Sequence, residues 1–238
     1  MKDNRLALLF VVGASVAGAG ACDASAPPSP SAKPAVAASI ATAAAAAPVH
    51  KDWSDARLPF GLRLAAAAEE RATHSVTYDA AYLRIPYPMG DVPASQGVCS
   101  DEVVRAYRLL GIDLQRLVHE DMVRAFAAYP TRWHMKHPDS NIDHRRVPNL
   151  AMFFARHGRA LAVSDEAKDY KPGDIIAWAL PDGRPHIGLV TEERTSDGAR
   201  PLVLHNIGLG PHIEDMLFVF KITGHYRYEG PKPMRRDS

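Results

Sequence analysis

The chain has 238 residues, of which 47% are hydrophobic and 23% charged, which suits one domain with a sizeable core. Its 28 lysines and arginines against 27 aspartates and glutamates leave a formal net charge of +1, so there is no basic field for phosphate binding and nucleic acid is not an expected partner. Cys22 and Cys99 are its two cysteines, and a bond between them would staple little of a fold.

The first 22 residues read as an export signal. Lys2 and Arg5 give a positive start, Leu6 to Val16 a short apolar run, and Gly18 to Ala21 a small-residue approach to Cys22. The run is too short to span a bilayer comfortably. Small residues before a cysteine resemble a bacterial lipobox, which makes Cys22 the expected lipidation site, with ordinary cleavage after Ala21 or an uncleaved anchor as the alternatives. The expected setting is therefore periplasmic, with the membrane as partner through an N-terminal lipid anchor. Residues 23–51 are rich in Ala, Pro and Ser and cannot bury enough area to offset chain entropy, so they read as a disordered tether. Residues 52–230 form the expected domain and 231–238 a basic tail.

Within the domain, helices come first. Leu62 to Thr73 has helical composition, Ser75 to Tyr78 changes the pattern, and Ile85 to Pro93 is a proline-rich loop. A helix follows Cys99, with Val103, Val104, Tyr107 and Leu110 at helical spacing and Gly111 as its stop. A second is expected over Leu114 to Ala128, and a third from Pro148 to Gly158. Short segments rich in Ile, Val and aromatics then follow at Asp174 to Ala179, His186 to Thr191, Pro201 to His205, Leu217 to Ile222 and His225 to Tyr228. This order predicts an α+β fold in which N-terminal helices pack on a C-terminal antiparallel sheet of about five strands.

The chemistry-bearing residues are Cys99, His186 and a partner on the next strand. Cys99 is placed at a helix start, where unpaired N–H groups and the helix dipole favour a thiolate and where its own N–H can face an oxyanion. His186 opens a strand. Alternation puts it on one face with Gly188 and Val190, and Gly188 is expected to leave room for the helix carrying Cys99. The third member, which sets the imidazole tautomer, is His205 or Asn206; only one of these neighbours can face His186, and His205 is preferred.

The blocks Gly-Val-Cys-Ser-Asp, Lys-Pro-Gly-Asp-Ile-Ile, Pro-His-Ile-Gly-Leu-Val and Val-Leu-His-Asn-Ile-Gly resemble the NlpC-type cell-wall peptidases of the papain-like superfamily. Residues 141–150 and 222–228 further resemble an uncharacterised bacterial family, domain of unknown function 1287, and the resemblance covers Ala65 to Glu229. It implies a papain-like fold with Cys99, His186 and His205 as the triad, and hydrolysis of an amide in peptidoglycan stem peptides. The superfamily's Asp-Cys-Ser-Gly becomes Val-Cys-Ser-Asp here, so its acid corresponds to Asp101. Its upstream tyrosine is matched to Tyr87, with Tyr82 and Tyr78 as competitors.

Asp143 and Arg145 belong to a polar cluster that either holds a substrate carboxylate or forms an ion-pair network within a loop. His134 and His137 have a spacing that metals use but lack a third ligand, and no metal or cofactor is expected. The expected activity is thus that of a monomeric exported cysteine amidase or peptidase. A cell-wall peptide-binding module without catalysis, an acyltransferase or thioesterase, and a zinc amidase built on His186, His205 and Asp215 are the alternatives.

Overall fold

The computed structural model describes residues 52–131 and 135–231. The expected signal, Cys22, the tether, His134 and all but the first residue of the tail lie outside the described residues. No described helix is long and apolar enough to cross a membrane.

Among the described residues, four α-helices precede most of the sheet: α1 (Phe60–Ala72), α2 (Cys99–Leu109), α3 (Leu114–Ala125) and α4 (Val147–His157). Each begins and ends where local chemistry dictates. The Asp113 carboxylate accepts the Gln115 N–H at the start of α3, Pro148 lies in the first turn of α4, and Gly111 takes φ +77° just past α2. The α3 segment ends at Ala125, and a 3-10 turn over Phe126–Ala128 completes the expected span.

A short parallel pair, β1 (Thr77–Tyr78) and β2 (Gln96–Gly97), precedes α2. The main sheet is antiparallel, ordered β3-β8-β4-β5-β6-β7, with β3 (Arg159–Leu161), β4 (Ile175–Ala179), β5 (Pro185–Arg194), β6 (Pro201–His205), β7 (His212–Glu214) and β8 (Lys221–Arg227). It therefore has six strands where about five were expected. β3 and β7 are short edge strands that the apolar pattern did not signal. Residues 217–220 are not in a strand: Leu217 is buried, and its carbonyl accepts from the Trp178 Nε1–H at 3.0 Å instead of joining a ladder.

Both faces of the sheet are covered. Ile175, Ala177, Ile187, Leu189 and Leu204 pack under the helices with Cys99, Val103 and Tyr107. Ile176, Trp178, Val190 and Val203 face the other way, under Tyr170, Met216 and Leu217. Each such aliphatic side chain contributes about 1.5–3 kcal/mol by leaving water. The alanine run Ala65 to Ala68 is buried, its small side chains suiting a helix that packs on β5 and α2. The turn entering β4 is fastened to α1. Gly173 has φ +82°, and a Cβ there would overlap the backbone of Gly61.

Candidate active site

Cys99 is the first residue of α2, after the extended Val98. The Asp101 Oδ2 accepts the Val98 N–H at 2.7 Å, capping the helix from within. The same carboxylate is held by Arg145, whose Nε lies 2.9 Å from Oδ1 and whose Nη2 lies 3.0 Å from Oδ2. Arg145 also donates to the carbonyls of Ala81 at 2.8 Å and Asp79 at 3.1 Å, and its own carbonyl accepts from Ser100 Oγ–H at 2.7 Å. The start of α2 is thereby tied to the segment following β1 and to the loop before α4. Of the two readings of this cluster, Arg145 takes the ion-pair network, with its donors directed at the protein itself.

The Cys99 side chain is buried against β5. The N–H groups of Ile187, Ser100 and Cys99 act on its sulfur in favour of the thiolate. Burial outweighs them, aided by the nearby Asp101 charge, and the thiol is pushed up to about 12. Burial thus opposes the thiolate that the helix start was expected to favour.

His186 immediately precedes Ile187, whose N–H acts on that sulfur. Its Nε2 lies 3.1 Å from His205 Nδ1, with the two rings edge to face. His205 Nε2 in turn lies 2.6 Å from Glu214 Oε1 on β7. Burial, with the neighbouring His205, pushes His186 down to about 3, and burial lowers His205 despite the pull of Glu214, so burial biases both rings toward the neutral form. His186 directs its Nε2 to His205, and no thiol–imidazole hydrogen bond is formed among the described residues. Such contacts often tighten only around a bound substrate.

Gly188 serves a different neighbour from the one expected. A Cβ there would meet the Leu204 carbonyl at 2.5 Å, Val203 Cγ1 at 3.0 Å and His205 Cβ at 3.3 Å. It clears room for β6 and the His205 backbone, while α2 packs on the opposite face through Ile187 and Leu189.

Tyr78, not Tyr87, lies beside the cysteine. β1 pairs Tyr78 with Gly97, two residues before Cys99. Burial and the adjacent Cys99 both raise the Tyr78 hydroxyl. Tyr87 packs on the His119 ring of α3 at 5.2 Å between centroids. Tyr82 donates to Asp139 at 3.0 Å. Asp143 is fully buried, with His119 Nδ1 at 2.9 Å from its Oδ2, and belongs to that second cluster. Asn206 is buried and its Oδ1 accepts the Gly208 N–H at 3.1 Å, so His205 is the member of that pair that meets His186. Asp215, the carboxylate of the zinc alternative, binds Arg200 at 2.6 Å. On β8, His225 turns inward, with Nε2 2.8 Å from the buried Asp174.

A cleft of about 560 Å³ opens beside His186, lined by Tyr78, Leu180, Arg184 and Ile207. Glu214 was not anticipated. The signal for it was present: His212-Ile213-Glu214 follows the turn after β6, and pairing a strand there places charged residues back along His205.

Helices followed by an antiparallel sheet, with a cysteine opening a helix and two histidines in contact on neighbouring strands, define an α+β protein. The chain belongs to the family described as Domain of unknown function (DUF1287), whose model matches residues 65–228. It is 51% identical over 167 residues to Uncharacterized protein YijF of Escherichia coli (strain K12), covering 70% of this chain and 81% of that one. Among solved structures it is similar to NlpC2 from Trichomonas vaginalis, with 17% identity, a TM-score of 0.42 and 75% of this chain covered. The match to NlpC1 from the same organism has 16% identity and a TM-score of 0.41, again over 75% of this chain. This chain spans about half the length of each, 50% and 48% respectively.

Proposed function

We propose that this protein is an exported cysteine hydrolase, an amidase or peptidase acting on peptidoglycan stem peptides, with Cys99 as nucleophile, His186 as base and His205 as the residue that orients it. It works as a monomer held at the periplasmic membrane surface by a lipid on Cys22, and needs no cofactor. What supports the reading is that Cys99 opens α2 and shares a buried cluster with Ile187, while His186, the residue before Ile187, has its Nε2 3.1 Å from His205 Nδ1.

In this reading the substrate amide enters the cleft and its carbonyl carbon meets Sγ. The S–C bond forms as the thiol proton passes to His186, so no free thiolate has to accumulate. The Cys99 N–H and the Tyr78 hydroxyl supply donors toward the oxyanion. The C–N bond then breaks as the imidazolium returns its proton to the leaving amine. Water, deprotonated by His186, cleaves the thioester to a carboxylic acid and restores the thiol.

The test is mass analysis of peptidoglycan fragments after incubation with the full-length protein in detergent. New fragments carrying a freed amine are expected with the wild type, and their loss by three orders of magnitude or more in Cys99→Ala, about the scale seen on removing a nucleophile. Equal turnover by that variant would remove the assignment.

The burial of Cys99, which pushes its thiol up, favours one second reading, a module that grips cell-wall peptide without cutting it. Saturable binding of stem peptides with no product at long times would select it.

A further inference from the structure

We propose that Glu214 is a fourth member of the relay, a positioning residue that fixes the tautomers of both histidines and so decides which nitrogen of His186 acts as base. The inference rests on the proposed hydrolase reading for its consequence in rate, though not for its structural content.

The argument is one of donors and acceptors. An ionised carboxylate only accepts hydrogen bonds. Glu214 Oε1 lies 2.6 Å from His205 Nε2, so the single proton of the neutral ring belongs on Nε2. His205 Nδ1 is then a lone pair, and it lies 3.1 Å from His186 Nε2. That contact is a hydrogen bond only when His186 Nε2 carries the proton and donates. His186 Nδ1 is left as a lone pair, the form a base requires. With the opposite tautomer, His205 would donate from Nδ1, His186 Nε2 would become the acceptor, and its proton would move to Nδ1, where it cannot receive another.

Burial biases both rings toward the neutral form, and a neutral pair could by itself take either arrangement. Within the chain of contacts, Glu214 is the group whose chemistry permits only one. His212, which pairs with His205 across β6 and β7, turns its Nδ1 to the Gly210 carbonyl at 2.7 Å and does not compete. When His186 takes a proton, the carboxylate at the end of the relay also offsets the new positive charge through His205. The Glu214 side chain is 56% exposed on an edge strand, so replacing it removes the acceptor without opening the core.

The experiment labels histidine with ¹⁵N in the full-length protein and reads both ring nitrogens at neutral pH, beside steady-state kinetics on peptidoglycan fragments. In the wild type, His205 and His186 are expected to carry their protons on Nε2. Glu214→Gln keeps an acceptor oxygen and is expected to keep that pattern. Glu214→Met removes it, and the His205 signal is expected to become a mixture, with kcat falling on the order of 10–100-fold and KM little changed, as for loss of an outer partner that orients a histidine. A wild-type His205 proton on Nδ1 overturns the proposal, as does a folded Glu214→Met protein with unaltered tautomers. If the tautomers shift as stated but no form of the protein turns over substrate, the hydrolase reading fails and the tautomer assignment stands.

Discussion

The Arg145 guanidinium grips both oxygens of Asp101, two residues into the helix that Cys99 opens, and both side chains are almost wholly buried, at 5% and 3% exposure. A buried pair of this kind contributes little compared with an apolar substitute, but breaking it strands a charge. Arg145→Ala is expected to cost about 3–5 kcal/mol, read as a lower urea midpoint with little change in slope. Arg145→Lys supplies the charge without the fork and is expected to recover only part of that loss. An Arg145→Ala protein as stable as the wild type would show that the start of α2 is held by other contacts.

Two histidines tie stability to acid. Burial pushes His186 and His144 down to about 3, so the folded state resists their protonation while an unfolded chain takes it up near 6.5. Their contribution is fully present above pH 6.5 and is lost as pH falls toward 3. The slope over that window is about 1.4 kcal/mol per pH unit for each group. Urea titrations at steps between pH 7 and pH 4 are expected to show this decline, and His144→Gln is expected to flatten it by one proton's worth. A flat profile for the wild type would mean that these rings are wetter than their burial indicates.

Gly188 tests the fit between β5 and β6. Its missing Cβ is what lets the Leu204 carbonyl and the His205 Cβ approach. Gly188→Ala must push backbone apart, and overpacking of this kind costs about 1–3 kcal/mol. The displacement falls on the strand pair that carries the two histidines, so activity is expected to fall further than stability does. The comparison is kcat/KM at a temperature well below the variant's Tm.

Much of this was legible along the chain because the signals are local. The helix at Cys99 follows from its apolar spacing and Gly111, and α4 follows from Pro148 and Gly158. Three strands follow from β-branched runs between turns. Where the pattern misled, a long-range contact had taken over. Residues 217–220 have the composition of a strand but serve as a lid on the sheet's second face, the Leu217 carbonyl held by Trp178. β3 carries little apolar signal, since Arg159 and Ala160 are exposed, and it exists by pairing with β8.

The candidate site divides the same way. The order of cysteine, first histidine and second histidine can be read from the blocks, and His205, the preferred one of two neighbours, is the one that meets His186. The choice of Tyr78 over Tyr87 could not be read, because it depends on a two-residue parallel pairing across a loop of 17 residues, between Tyr78 and Gln96.

The amino-acid order alone determined the class of fold, the helix on which Cys99 sits and the strands that carry His186 and His205, since periodicity, caps and turn residues act over a few positions. Tertiary structure decided the burial that raises the Cys99 thiol, the engagement of Arg145 with Asp101 and the addition of Glu214 to the histidine pair. Those outcomes depend on burial and on the meeting of groups distant in sequence, where a low dielectric and the need to satisfy every buried charge select one arrangement from several that the chain permits.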